Sequence, residues 1–214
     1  MIRHHPSAEL LADYARGTLD PGARLTVACH IHDCVICRGE AALWEGVGGA
    51  VLETLDPTPL SEGALEKTLA RLGNGTSTSV PQIPAFMRSF AVPSPLAREK
   101  IGFRRWVTPS IWFAPIHLGK NAGSYNYLVY ARAGTTLAQH THGGAEYTQV
   151  LHGSFRDDTG TFEQGDFACT DENILHAPAV TLDSDCLCLS SSDEPMQLTG
   201  RAARNVQSLL GTLY

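Results

Sequence analysis

Residues 140–146 read His140-Thr141-His142-Gly143-Gly144-Ala145-Glu146, and His176 follows thirty residues later. On a strand, His140 and His142 alternate onto one face. Gly143-Gly144 is a turn signal, and it lets Glu146 return on the next strand toward the same side. All three side chains can then point into a barrel mouth. Three His and one Glu suit zinc, iron, manganese, copper or nickel in a pocket. The alternative is a metal-free barrel with solvent-facing histidines.

The sequence around this stretch has strand character. Short apolar or alternating runs occur over 103–108, 111–117, 125–131, 147–151, 166–170 and 186–190, punctuated by Gly, Asp and Pro. Many short strands at close spacing indicate a sandwich or barrel. Residues 201–214 carry Val206, Leu209, Leu210 and Leu213, which fit a terminal helix or a frayed tail.

Upstream the period is helical. Ser7 can cap a helix bearing Leu10, Leu11, Tyr14 and Ala15, with Gly17 as its stop. Asp20-Pro21 starts a second helix, with Asp20 as N-cap and Pro21 at the first position. A third begins near Cys34–Cys37 and carries Ala41, Leu43, Trp44 and Val47; Gly48-Gly49 weakens it before Val51 and Leu52. A fourth starts at Ser61 with Leu65, Leu69 and Leu72 at helical spacing. The run Gly73–Ser79, with Pro81 and Pro84, reads as a linker.

A second ligand set sits in the helical part: His30-Ile31-His32-Asp33-Cys34-Val35-Ile36-Cys37, preceded by His5. His30 and Cys34 share a helix face, one turn apart, and Cys37 enters the next helix. With His5 they form a Cys₂His₂ tetrahedron suited to structural zinc, which supplies folding free energy in a small domain. His4 and His32 compete as imidazoles. The alternative is two buried thiols and exposed histidines. A Cys-x-x-Cys alone would equally fit a redox motif; the added His favours zinc.

Composition sets bounds. The 214 residues are 43% hydrophobic, with 20 Gly, 12 Pro and a formal net charge of −6. That charge disfavours direct binding to a phosphate backbone, so no nucleic-acid partner is expected. No segment is long and apolar enough to span a bilayer, and Met1–Pro6 lacks an apolar signal core, so a cytoplasmic protein with no membrane partner is expected. Six cysteines then read as ligands, buried thiols or redox sensors. Cys186 and Cys188 share one strand face with parallel Cβ vectors, which disfavours a bridge between them. Two buried core residues is the plainer reading, and a redox-responsive pair near the metal the sharper one. Cys29 and Cys169 read as core thiols, and His117 and His152 as exposed.

Two resemblances follow from these residues. His5, then His30-x-x-x-Cys34-x-x-Cys37, resembles the zinc-binding anti-sigma domain family. The resemblance implies a four-helix domain that clamps an extracytoplasmic-function sigma factor, with His5, His30, Cys34 and Cys37 on zinc and the fourth helix in contact. Gly134, His140, His142, Glu146 and Gly153 resemble the first cupin motif at every spaced position. Gly165 and His176 resemble the second, with His176 as fourth ligand. There the usual Pro-x-Gly turn is Asp171-Glu172-Asn173, and the trailing Asn is Val180; Asn173 can still take the left-handed turn conformation that Gly usually supplies, so the departure bears on the turn geometry more than on the ligand.

Together the halves resemble the ChrR family of anti-sigma factors, also through Arg3-His4-His5, Val47-Gly48-Gly49, Leu60-Ser61-Glu62-Gly63, Gly153–Asp157 and Asp185–Leu189. The expected architecture is an α + β two-domain chain. A zinc-binding helical bundle occupies 1–75, a linker 76–95, a cupin β-barrel 96–200 and a tail 201–214. The resemblance implies a zinc-dependent anti-sigma factor with zinc or another divalent metal in the cupin. It also implies release of the sigma factor on an oxidative signal such as singlet oxygen. A homodimer is an open assembly. The rival reading is a metal-dependent cupin enzyme, a dioxygenase or isomerase.

Overall fold

The computed structural model describes residues 1–73, 83–119 and 123–199. Four helices come first: α1 (Ala8–Arg16), α2 (Pro21–Asp33), α3 (Val35–Glu53) and α4 (Ala64–Gly73). Ser7 Oγ accepts from Leu10 N at the start of α1. Gly17, at φ 72°, closes α1 by donating its N–H to the Asp13 and Tyr14 carbonyls, a conformation that costs other residues more than glycine. Asp20 Oδ1 accepts from Gly22 N and Ala23 N to cap α2, and Pro21 occupies its first turn.

The strands are β1 (Lys100–Ile101), β2 (Arg105–Thr108), β3 (Ile111–His117), β4 (Tyr125–Ala131), β5 (His140–Thr141), β6 (Glu146–His152), β7 (Ser154–Asp157), β8 (Gly160–Glu163), β9 (Phe167–Thr170), β10 (Ala179–Val180), β11 (Cys186–Ser192) and β12 (Gln197–Leu198). An antiparallel sheet runs β1-β3-β4-β11-β6-β9, with β2 added on β3. Two smaller sheets, β10-β7-β8 and β12-β5, face it. The expected barrel is therefore three separate sheets rather than one closed ring of strands, with the single bridges His140↔His176 and Thr136↔Ala179 extending the two smaller ones.

The central strands β3, β4, β6 and β11 of the large sheet are largely buried on both faces, which is why they read as near-continuous apolar runs. Tyr127, Val150, Cys186 and Cys188 point into the barrel core. Their neighbours Leu128, Leu151, Leu187 and Leu189 point outward, onto Leu25 and Cys29 of α2. Gly22 sits where α2 meets the sheet, and a Cβ there would overlap Asn126 Oδ1 and Ser191 Oγ. Only glycine permits that approach.

The linker expected over 76–95 departs from a solvated tether. Residues 74–82 lie outside the described residues, but from residue 83 onward the chain is packed. A 3₁₀ turn at Ala85–Met87 and a short helix, α5 (Ser94–Ala97), bury Met87 and Leu96 completely against Trp112 and α2. Spaced apolar residues among the prolines supply the anchors. The expected tail, 201–214, also lies outside the described residues.

Beyond Ala41 every residue of α3 is exposed. It runs through Gly48-Gly49 without a break, and Leu43, Val47, Val51 and Leu52 face solvent. In α4, Leu65, Leu69 and Leu72 are likewise 57–73% exposed. The amphipathic pattern of both helices is present, but no described residue covers their apolar stripes.

Candidate metal centres

His30 lies in the last turn of α2, fully buried, and Cys34 is the corner residue between α2 and α3. Cys37 follows in the first turn of α3. His5, just before the α1 cap, places Nδ1 at 3.4 Å from Cys34 Sγ and 3.3 Å from Cys37 Sγ. One donor atom from each of the four lies within 4.8 Å of the others. Tetrahedral zinc bonds imply N···S edges of roughly 3.5 Å, so this spacing fits a metal. His30 Nε2 is buried without a hydrogen-bond partner, as a ligand nitrogen would be. Burial and the adjacent Cys34 push the Cys37 thiol up to about 12. A cation is what would stabilise thiolates in such a place.

The competing imidazoles go elsewhere. The His4 ring packs on Phe162 at 4.5 Å and its Nε2 meets Thr161 O at 3.1 Å. His32 is exposed and pairs with Asp33 at 2.8 Å.

In the barrel, β5 delivers His140, His142 follows at its end, β6 opens with Glu146, and His176 bridges to His140. All four are buried, and their donors again lie within 4.8 Å. His176 Nε2 is 3.0 Å from His140 Nε2 and 3.4 Å from His142 Nε2, and His142 Nε2 is 3.1 Å from Glu146 Oε2. His140 Nδ1 donates to Ala138 O, and His176 Nδ1 donates to Asp157 Oδ2, both at 2.8 Å. With Nδ1 protonated on each ring, the two facing Nε2 atoms present lone pairs to one another. A cation between them makes that arrangement favourable, so the residues fit a metal. Burial lowers the pKa of His140 and of His142 to about 4, which keeps the imidazoles in the neutral, ligating form. Burial pushes the Glu146 carboxyl up against the opposing pull of His140 and of the Tyr127 hydroxyl, which donates to Oε1 at 2.8 Å.

Sequence reasoning gave no role to Tyr127 or Asp157. Asp157 falls in a stretch that carries the family resemblance, which is the one signal that could have found it. The Asp171–Asn173 turn does not use the left-handed conformation open to Asn173. No described non-glycine residue has positive φ, and Asn173 N donates to Asp171 Oδ1 at 2.9 Å in an Asx turn instead.

The cysteines divide. Cys186 and Cys188 are free, buried and 3.7 Å apart at sulfur, and both line the cavity that His140, Glu146 and His176 also line. Cys29 is buried, but Cys169 is exposed on β9, a correction to the expected core thiol. His117 is exposed, whereas His152 is half-buried with its ring 5.4 Å from Phe90.

Fold and sites together define a cupin protein with a helical, Cys/His-bearing N-terminal part. The ChrR Cupin-like domain matches residues 97–194. The Anti-sigma-E factor ChrR of Cereibacter sphaeroides is 35% identical over 210 residues, covering 96% of this chain and 97% of that protein. A crystal structure of Rhodobacter sphaeroides SigE in complex with the anti-sigma ChrR matches with TM-score 0.73 and 32% identity, covering 90% of this chain and 100% of that one. The chain belongs to the ChrR family. That family is regulatory, so the chain is not read as an enzyme. Among the described residues no helix is long and apolar enough to cross a membrane.

Proposed function

We propose that the chain is a zinc-dependent, cytoplasmic anti-sigma factor. It sequesters an extracytoplasmic-function sigma factor and releases it on an oxidative signal, such as singlet oxygen, sensed by the cupin-like domain. The observation that carries this reading is the apolar face left open on α3 and α4. Leu43, Val47, Val51, Leu65, Leu69 and Leu72 are all exposed, although they repeat at the spacing of a buried stripe. A helix with so little packing of its own gains its stability from a partner. The name of the full-length relative supplies that partner's class.

In this reading, His5, His30, Cys34 and Cys37 hold zinc and fix the α2–α3 corner from which the open face projects. His140, His142, Glu146 and His176 hold zinc or another divalent metal. Residues 1–75 form the inhibitory unit and 96–200 the sensor. The signal acts on the cupin metal set or on Cys186 and Cys188. It frees the sigma factor by changing the relative stability of bound and free states.

The test is a sigma-dependent reporter in cells that make singlet oxygen under light. Single alanine replacements at His140, His142, Glu146 and His176 should leave basal repression intact and blunt induction. Normal induction in all four variants would contradict the sensor assignment.

A further inference from the structure

The N-terminal donor set does not belong to the helices alone. Gln149, on β6, is 1% exposed, and its Oε1 lies 3.0 Å from His30 Nδ1. The Gln149 amide nitrogen faces Val150 O at 3.3 Å. A carbonyl can only accept, so the amide must present N–H there and oxygen toward His30. His30 Nδ1 must then carry the proton. The lone pair falls on Nε2, the buried nitrogen that lacks a hydrogen-bond partner. The Phe167 ring of β9 packs edgewise on the same imidazole at 5.6 Å.

The His5 side is held in a similar way. Asp166 Oδ1 accepts from Arg3 N at 2.7 Å and His4 N at 3.1 Å, and His4 O accepts from Phe167 N at 3.1 Å. The segment that delivers His5 is therefore strapped to the turn before β9. Along β6, side chains alternate: Glu146 enters the barrel set, and Gln149, three residues on, leaves by the opposite face to meet His30. One strand touches both donor sets.

We propose that Gln149 is a positioning residue for the N-terminal metal. Accepting from His30 Nδ1–H, it fixes the tautomer and ring orientation that aim Nε2 at the ion, so the cupin-like domain supplies the outer shell of a site whose ligands all lie in the helical part. Ligating histidines are characteristically oriented by such a partner, and its loss weakens metal binding by about 10–100-fold. The inference rests on reading His5, His30, Cys34 and Cys37 as a metal site.

The experiment is cobalt(II) binding to the full chain in competition with a chelator. It is read by the thiolate-to-metal absorption that only a cysteine-bearing site produces. Gln149→Leu should weaken this site by about 10–100-fold, while Gln149→Glu, which keeps an acceptor, should bind within a few-fold of wild type. In zinc-loaded wild-type protein, ¹⁵N NMR should place the His30 proton on Nδ1. This spectrum needs no variant, so it decides the matter even where Gln149→Leu fails to fold. Undiminished affinity in Gln149→Leu, or a wild-type His30 protonated at Nε2, overturns the inference while leaving the metal reading standing. Absence of the thiolate band in the wild type overturns both.

Discussion

Asp157 Oδ2 accepts from His176 Nδ1 at 2.8 Å, deep beside the barrel donor set. Burial alone would raise the Asp157 carboxyl, but bonds from His176 and Thr159 outweigh it and bring it to about 2. Asp157 is thus an anion at neutral pH, oriented to hold His176 with Nε2 free. Asp157→Ala should lower metal affinity at the barrel set by about 10–100-fold and leave the thiolate site unchanged. Titration of each site with zinc against a chelator checks this.

Thiol chemistry should follow burial. Cys169 is exposed, whereas Cys29, Cys186 and Cys188 are buried. Burial pushes Cys29 to about 12, the Cys186 contact followed by burial raises Cys188, and burial also raises Cys169. Only thiolate reacts at an appreciable rate, and with Cys169 raised as well it is reagent access that sets this thiol apart. Metal-loaded native protein should show one fast-reacting thiol, removed by Cys169→Ser, and denaturant should expose the rest. Mass spectrometry after timed alkylation reads the order.

Acid should loosen the strap at the N-terminus. Burial raises the Asp166 carboxyl, but the backbone N–H groups of Glu163, Arg3 and His4 outweigh that and lower it below its usual value. A carboxylate whose folded pKa is depressed contributes stability above its unfolded pKa, and that stability is lost as pH falls through the folded one. Asp166→Asn should cost about 1–3 kcal/mol at pH 7. The gap from wild type should narrow as pH drops below the ordinary aspartate value. Urea unfolding at a series of pH values measures both.

Leu65, Leu69 and Leu72 make no buried contact among the described residues. Replacing Leu65 and Leu69 by Gln should change stability by no more than about 0.5 kcal/mol. The same pair should sharply weaken binding to the sigma factor, because a buried leucine contributes about 1.5–3 kcal/mol. Thermal unfolding together with a binding titration separates the two effects.

Much of this protein was legible in its sequence because the informative features are local. His30, Cys34 and Cys37 are fixed by helical offsets, and His140, His142 and Glu146 by strand alternation and a glycine turn. The long strands β3, β4 and β11 show as apolar runs. What was missed depends on distant partners. Gln149 is an ordinary polar residue until His30, 119 positions away, packs against it. The proline-rich stretch after residue 83 looks like a tether, yet Met87 and Leu96 find a cleft between α2 and the sheet. Cys169 and Cys186 both sit on strands, and only the sheet's position tells which face is covered. The short strands β7, β8, β10 and β12 have two to four residues each, too few to display a period.

The most direct test of the account is co-purification of the full chain with the extracytoplasmic-function sigma factors of its own organism, using wild type, Cys34→Ala and His140→Ala. The account predicts a stable one-to-one complex with wild type and with His140→Ala, lost in Cys34→Ala. No complex with the wild-type chain, or an undiminished one with Cys34→Ala, would contradict a metal-dependent anti-sigma function.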